Sequence, residues 1–89
     1  MSAPLEPLVV IGAGHVGLVT AAGFAAKGHE VWCVEVQRSR LEALTARALP
    51  FYEPQLAETI KRAGSNLHFT ASIEEALSAS GLRLSLIHI

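Results

Sequence analysis

Leu8-Val9-Val10-Ile11-Gly12-Ala13-Gly14-His15-Val16-Gly17 is the stretch on which the reading of this chain turns. Leu8 to Ile11 is a short, continuous apolar run behind Pro7, the pattern of a strand buried on both faces. Gly12 ends the run. From Gly14 to Lys27 the pattern is helical, and Gly28 stands where a C-terminal cap belongs. Val31 to Val36, rich in valine, reads as a second strand. The glycines have separate tasks. Gly12 permits a tight turn out of the strand. Gly14, without a side chain, lets an anionic group come close to the backbone, and Gly17 lets helix and strand pack closely. Unpaired N–H groups at the start of the helix then favour a phosphate.

Glu35 lies 18 residues beyond Gly17, at the end of the second strand. A carboxylate there accepts hydrogen bonds from the ribose hydroxyls of a dinucleotide. It repels a 2′-phosphate, which favours NAD over NADP. Arg38 and Arg40 pull the other way, because arginine accommodates a 2′-phosphate. The bland alternative is a glycine-rich turn without a ligand, but strand, helix, second strand and carboxylate all agree with the dinucleotide reading. The expected fold is α/β, a Rossmann-type parallel sheet with flanking helices. It is expected to be incomplete, about one mononucleotide-binding half, because 89 residues hold no more.

Downstream, Ser39 opens a helix with Glu42 at capping-box spacing, and Leu41 and Leu44 share its inner face. Pro50-Phe51-Tyr52-Glu53-Pro54 reads as a rigid connection in which Phe51 packs inward. Pro54 suits the first position of the next helix. Leu56, Ile60 and Ala63 line one face of that helix, Glu58 and Arg62 form an i,i+4 pair on it, and Gly64 ends it. Leu67 to Thr70 is a third strand. Ser72 and Glu75 repeat the capping-box spacing and start a helix through Leu77. Alternating strands and helices predict parallel strands joined by right-handed crossovers.

Composition narrows the function. Half of the residues are hydrophobic, which argues for a packed core. The net charge of −1 gives no electrostatic case for nucleic acid or an anionic membrane. No apolar stretch is long enough to span a bilayer, and the N-terminus lacks the pattern of a secretion signal. Cytoplasmic localisation is expected. The single cysteine, Cys33, sits in an apolar strand and reads as a buried, inert thiol. No histidines have metal-ligand spacing, so no metal site is expected. Trp32 and His68 read as packing residues and His29 as a solvated turn residue. His15 either contacts the ligand or merely covers the turn.

Gly12 to Ala25, followed by Gly28-His29-Glu30-Val31, resembles the start of the UDP-glucose/GDP-mannose dehydrogenase family. Leu49-Pro50-Phe51-Tyr52-Glu53-Pro54, with Leu56 behind it, is similar to the family's Tyr-Glu-Pro-Gly-Leu segment. Leu67-His68-Phe69-Thr70 and Ile73-Glu74-Glu75-Ala76-Leu77 continue the likeness, which covers roughly residues 8–80. The resemblance implies an NAD-dependent oxidoreductase of nucleotide-sugar metabolism and polysaccharide biosynthesis, oxidising the C6 alcohol of a UDP-sugar, UDP-glucose foremost, to the carboxylate. The parent is then expected to be a homo-oligomer. For this chain it implies cofactor binding only, with Gly12, Gly14, His15, Val16, Gly17, Glu35 and Arg40 as site residues. It implies no catalytic residue, since the family's catalytic groups lie beyond this length, and no turnover by the chain alone. His15 departs from the family's tyrosine, Gln37 from a frequent acid, Gln55 from a glycine, Ser72 from an aspartate and Glu35 from the shorter aspartate. An FAD-binding flavoprotein fragment and a stand-alone nucleotide-binding module are the alternatives; the 50–54 segment argues against the first.

Residues 1–83 are read as the partial domain. Leu84-Ser85-Leu86-Ile87-His88-Ile89 is also what one reading frame of a transposase end sequence, used in preparing sequencing libraries, encodes. Residues 84–89 are therefore expected to be a non-native tail, the alternative being a genuine fourth strand.

Overall fold

The computed structural model describes residues 6–12, 14–46, 54–80 and 85–88. The expectations for Phe51, Tyr52 and Glu53 lie outside the described residues. Strand β1 (Leu8–Ile11) leads into helix α1 (His15–Ala26), then strand β2 (Val31–Val34), helix α2 (Arg38–Thr45), helix α3 (Pro54–Ala63), strand β3 (Leu67–Thr70), helix α4 (Ile73–Ser80) and strand β4 (Ser85–His88). The strands form one parallel sheet in the order β3-β2-β1-β4. The chain therefore builds outward from β1 to β3, and then returns to the other side of β1. That reversal leaves a crevice at the C-terminal ends of β1 and β4, the place where open parallel sheets take ligands.

Alternation along the strands splits the core in two. Leu8, Val10, Val31, Cys33 and Leu67 pack with Leu18, Ala21, Ala22 and Ala25 of α1, Leu44 of α2, and Leu56, Ile60 and Ala63 of α3. Val9 and Val34 face the other way, with Ala76 of α4 and the half-buried Ile11 and Trp32. Alanines on α1 allow its axis to lie close to the sheet. Asn66 Nδ2 donates to the carbonyl of Ala25 at 3.3 Å, tying the entry of β3 to the end of α1.

Glycine punctuation follows the sequence. Gly28 has φ 110°, and the N–H groups of Gly28 and His29 donate to the carbonyls of Ala25 and Phe24, which closes α1 in a Schellman arrangement. Gly64, at φ 55°, ends α3 and opens a single 3-10 turn, Gly64–Asn66.

Four local expectations are corrected. Strand β2 stops at Val34; Glu35 and Val36 leave the sheet, and the Val36 side chain is exposed. Helix α2 starts at Arg38 with Gln37 as N-cap and no side-chain cap bond, so Ser39 does not open it. The Gln37 N–H is taken by the Glu35 carboxylate, and the N-cap lies two residues before Ser39. Glu58 and Arg62 are exposed and make no ion pair among the described residues, as is common for a pair whose gain is only about 0.2–0.5 kcal/mol. His29 is not a freely solvated turn residue. Its Nδ1 lies 2.8 Å from the carbonyl of Glu6, an acceptor that requires the proton on Nδ1, and its ring meets Phe24 edge-on.

Candidate functional site

The site begins where β1 and β2 end. Ile11 pairs with Val34, so Gly12 and Glu35 follow adjacent strand ends, and the Gly12 N–H donates to the Val34 carbonyl at 2.9 Å. Gly12 has φ 101°, a conformation L side chains rarely adopt, so its glycine is required by the backbone. Gly14 is different. Its φ is −69° and its ψ −172°, and a Cβ built there meets nothing within 4 Å among the described residues. Neither backbone strain nor a described neighbour calls for glycine at this position.

Gly14 is the N-cap of α1 and supplies no side-chain cap bond, and the first turn holds no acid. The opening N–H groups of a helix have no intrahelical acceptor. The N–H groups that open the helix, the positive end of its dipole and the absence of a side chain at Gly14 together fit an anion such as a pyrophosphate. Val16 is exposed on this turn, and Gly17 is buried against the strand. His15 is exposed at the mouth of an open groove of about 330 Å³ between α1 and α3, which Val19, Gly23, Gln55, Leu56 and Thr59 also line.

The second half of the site is held by a side chain. Glu35 is only 5% exposed. Its Oε2 accepts the Gln37 N–H at 2.7 Å, and its Oε1 accepts from Arg40 Nη1 at 3.2 Å. The Glu35 N–H donates to the Thr70 carbonyl at 2.8 Å, so the residue is held by β3 through its backbone and by the start of α2 through its side chain. Sequence reading found Glu35 and Arg40 but missed Gln37 as their backbone partner; only its place two residues after the acid hinted at it. It also missed the Thr70 hydroxyl, which donates to Glu75 Oε1 and accepts the Ser72 N–H. The Glu75 N–H in turn donates to Ser72 Oγ at 3.1 Å. The Ser72–Glu75 capping box is thus made in one direction and relayed through Thr70 in the other.

Cys33 lies on β2, below Glu35. Burial first, and the Glu35 charge second, push its thiol up from 9.0 to about 12, so it is no nucleophile at neutral pH. Trp32 and His68 stack at 4.4 Å on the other sheet face, and Glu30 accepts from Trp32 Nε1. Among the described residues no group of three potential ligands would hold a metal ion, and no helix is long and apolar enough to cross a membrane.

Residues 6–87 match the NAD binding domain of the UDP-glucose/GDP-mannose dehydrogenase family. The chain belongs to this family. The match decides for NAD and against the flavoprotein reading. UDP-glucose 6-dehydrogenase of Pseudomonas aeruginosa is 48% identical over 73 residues, which is 80% of this chain and 16% of that protein. UDP-glucose 6-dehydrogenase of Rhizobium meliloti is 37% identical over 75 residues, 82% of this chain and 17% of that protein. Among solved structures, a UDP-glucose dehydrogenase from Pyrobaculum islandicum superposes with a TM-score of 0.77 at 42% identity, covering 85% of this chain and 18% of that one. A GDP-mannose dehydrogenase from Pseudomonas aeruginosa gives 0.80 at 27% identity, covering 94% and 19%. The chain spans less than a fifth of the length of these relatives.

Proposed function

We infer that the chain is the cofactor-binding start of an NAD-dependent nucleotide-sugar dehydrogenase that oxidises the C6 alcohol of UDP-glucose to the carboxylate. Gly14 carries the reading: it caps α1 with an ordinary φ, no side chain and, among the described residues, open space at its Cβ position, so a ligand can approach the backbone at the positive end of the helix. Gly12, Gly14, His15, Val16 and Gly17 form the turn that would seat the pyrophosphate on the first turn of α1. Glu35 would accept the adenosine ribose hydroxyls, with Arg40 bordering the same sugar. NAD, when bound, supplies the acceptor for hydride. The residues here bind and orient it, and no residue of this chain is assigned to proton or hydride transfer.

UDP-glucose as substrate is supported by the names of the relatives. Cytoplasmic localisation and a homo-oligomeric parent belong to the same proposal. Titration calorimetry of the 89-residue chain with NAD is the test. Saturable binding is expected, with no oxidation of UDP-glucose by the chain alone. A folded chain that takes up no NAD overturns the reading. Residues 84–89 remain proposed as a non-native tail, which a genomic reading frame running through them overturns. The parallel pairing of β4 with β1 is the observation that favours a genuine strand.

A further inference from the structure

His15 holds the first position of α1, directly after the N-cap Gly14. It is exposed at the mouth of the groove between α1 and α3. The groove brings Val19 and Gly23 of α1 and Gln55, Leu56 and Thr59 of α3 beside it, and all five are uncharged. The first turn of α1 carries no acid. The charged groups at the adjacent strand end, Glu35 and Arg40, are paired with each other at 3.2 Å. His29 precedes β2 and His68 is the second residue of β3, so both belong to the strand starts, the edge of the parallel sheet opposite the turn. His88 closes β4 opposite Ile11, at the same edge as the turn. Glu53 comes just before α3 in the sequence.

A cation in the first turn of a helix faces the positive end of the dipole. A pyrophosphate seated on the N–H groups of that turn is a dianion and reverses the local field. Histidine is the side chain whose charge can follow such a change near neutral pH. We propose that seating the pyrophosphate draws a proton from solvent onto the His15 imidazole, so that cofactor affinity rises as pH falls through the neutral range. The proposal rests on the cofactor reading above and deepens it. The sign follows from reciprocity: the bound cofactor favours the imidazolium as much as the imidazolium favours the cofactor. A tyrosine at this position, the residue of the resembling family, has no positive charge to gain, so the linkage belongs to this chain's own histidine.

The test is titration calorimetry of NAD and ADP-ribose with the 89-residue chain from about pH 8.5 to about pH 5.5, in buffers of different ionisation enthalpy. Circular dichroism checks folding at each pH. Neither ligand titrates in that range, so proton uptake reports on the protein. NAD affinity is expected to rise about fivefold towards acid pH, the size of one exposed charge pair, with net proton uptake from the buffer. ADP-ribose keeps the pyrophosphate and lacks the nicotinamide, and should show the same dependence. His15→Gln should hold the weaker affinity throughout and take up no proton; His15→Tyr carries the same test if the glutamine variant is poorly folded. His88→Gln and Glu53→Gln should retain the dependence. Binding that is independent of pH overturns the proposal and leaves the cofactor reading intact. So does a dependence that survives the loss of His15, that follows His88 or Glu53 instead, or that is absent with ADP-ribose. A folded, unmodified chain that binds no nucleotide overturns both.

Discussion

The β1–α1 turn and the β2–α2 turn end neighbouring strands and, in the function proposed, would serve the same ligand by opposite means. The first is made of backbone. Gly12 takes a positive φ, Gly14 leaves open space, and the opening N–H groups of α1 supply the charge. The second is made of side chain. Glu35 draws in the Gln37 N–H and Arg40, and this arrangement sets where α2 begins. A backbone seat needs residues that do little, which a motif can specify. A side-chain seat needs partners brought from elsewhere, here from the following helix and from β3.

The largest effect is expected from Gly14→Val. It should lower NAD affinity by about a hundredfold, the loss of two charge-assisted hydrogen bonds, because the side chain fills the space beside the N–H groups. The melting temperature should fall only slightly, since a Cβ there meets nothing among the described residues and the loss is that of a favoured N-cap glycine, about 1 kcal/mol at most. Calorimetry and a thermal melt read the two quantities. A variant that unfolds would show that Gly14 is a structural glycine like Gly12.

Gly12→Ala should do the reverse. At φ 101° the added Cβ is strained by about 1–3 kcal/mol, seen as a lower urea midpoint before any ligand is added. Equal stability in the two variants would erase the distinction between a glycine needed by the fold and one needed by the ligand.

Cys33 tests the floor of the second turn. Its folded pKa of about 12 lies above the 9.0 of the unfolded thiol, so the stability contributed by the neutral thiol is complete below pH 9.0 and is lost as pH rises towards about 12. Thiol reagents at pH 8 should react only when urea is present. Rapid reaction in the folded chain would mean that β2 does not shield it.

The smallest effects separate the two capping boxes. Ser72→Ala should cost about 1 kcal/mol, because Ser72 Oγ accepts the Glu75 N–H. Ser39→Ala should cost almost nothing, since the N-cap of α2 is Gln37 and no side-chain cap bond is made. Urea titration of both variants measures the difference.

These two boxes show how far the sequence could be read. Both have serine followed by glutamate three residues later. At Ser72 the preceding strand ends in Thr70, whose hydroxyl joins the cap. At Ser39 the helix is already under way: its N-cap is Gln37, whose carbonyl accepts the Leu41 N–H and whose N–H is held by Glu35. Spacing records which bonds are available locally; the residue that sets this helix start lies outside the pattern. Strands β1 and β2 and the parallel arrangement were legible for a simpler reason. Short apolar runs with no polar alternation are buried on both faces, and helices between them leave only a parallel arrangement.

The sequence by itself determined the parallel sheet, the glycine turn and the acid after the second strand, because each depends on the intrinsic preferences of a few adjacent residues. Only the tertiary structure decided what Glu35 holds, where α2 starts and which way Glu75 turns. Those outcomes depend on how Glu35 and Thr70 are set at their strand ends, and the two meet, Glu35 N–H on the Thr70 carbonyl, only once β2 and β3 have paired.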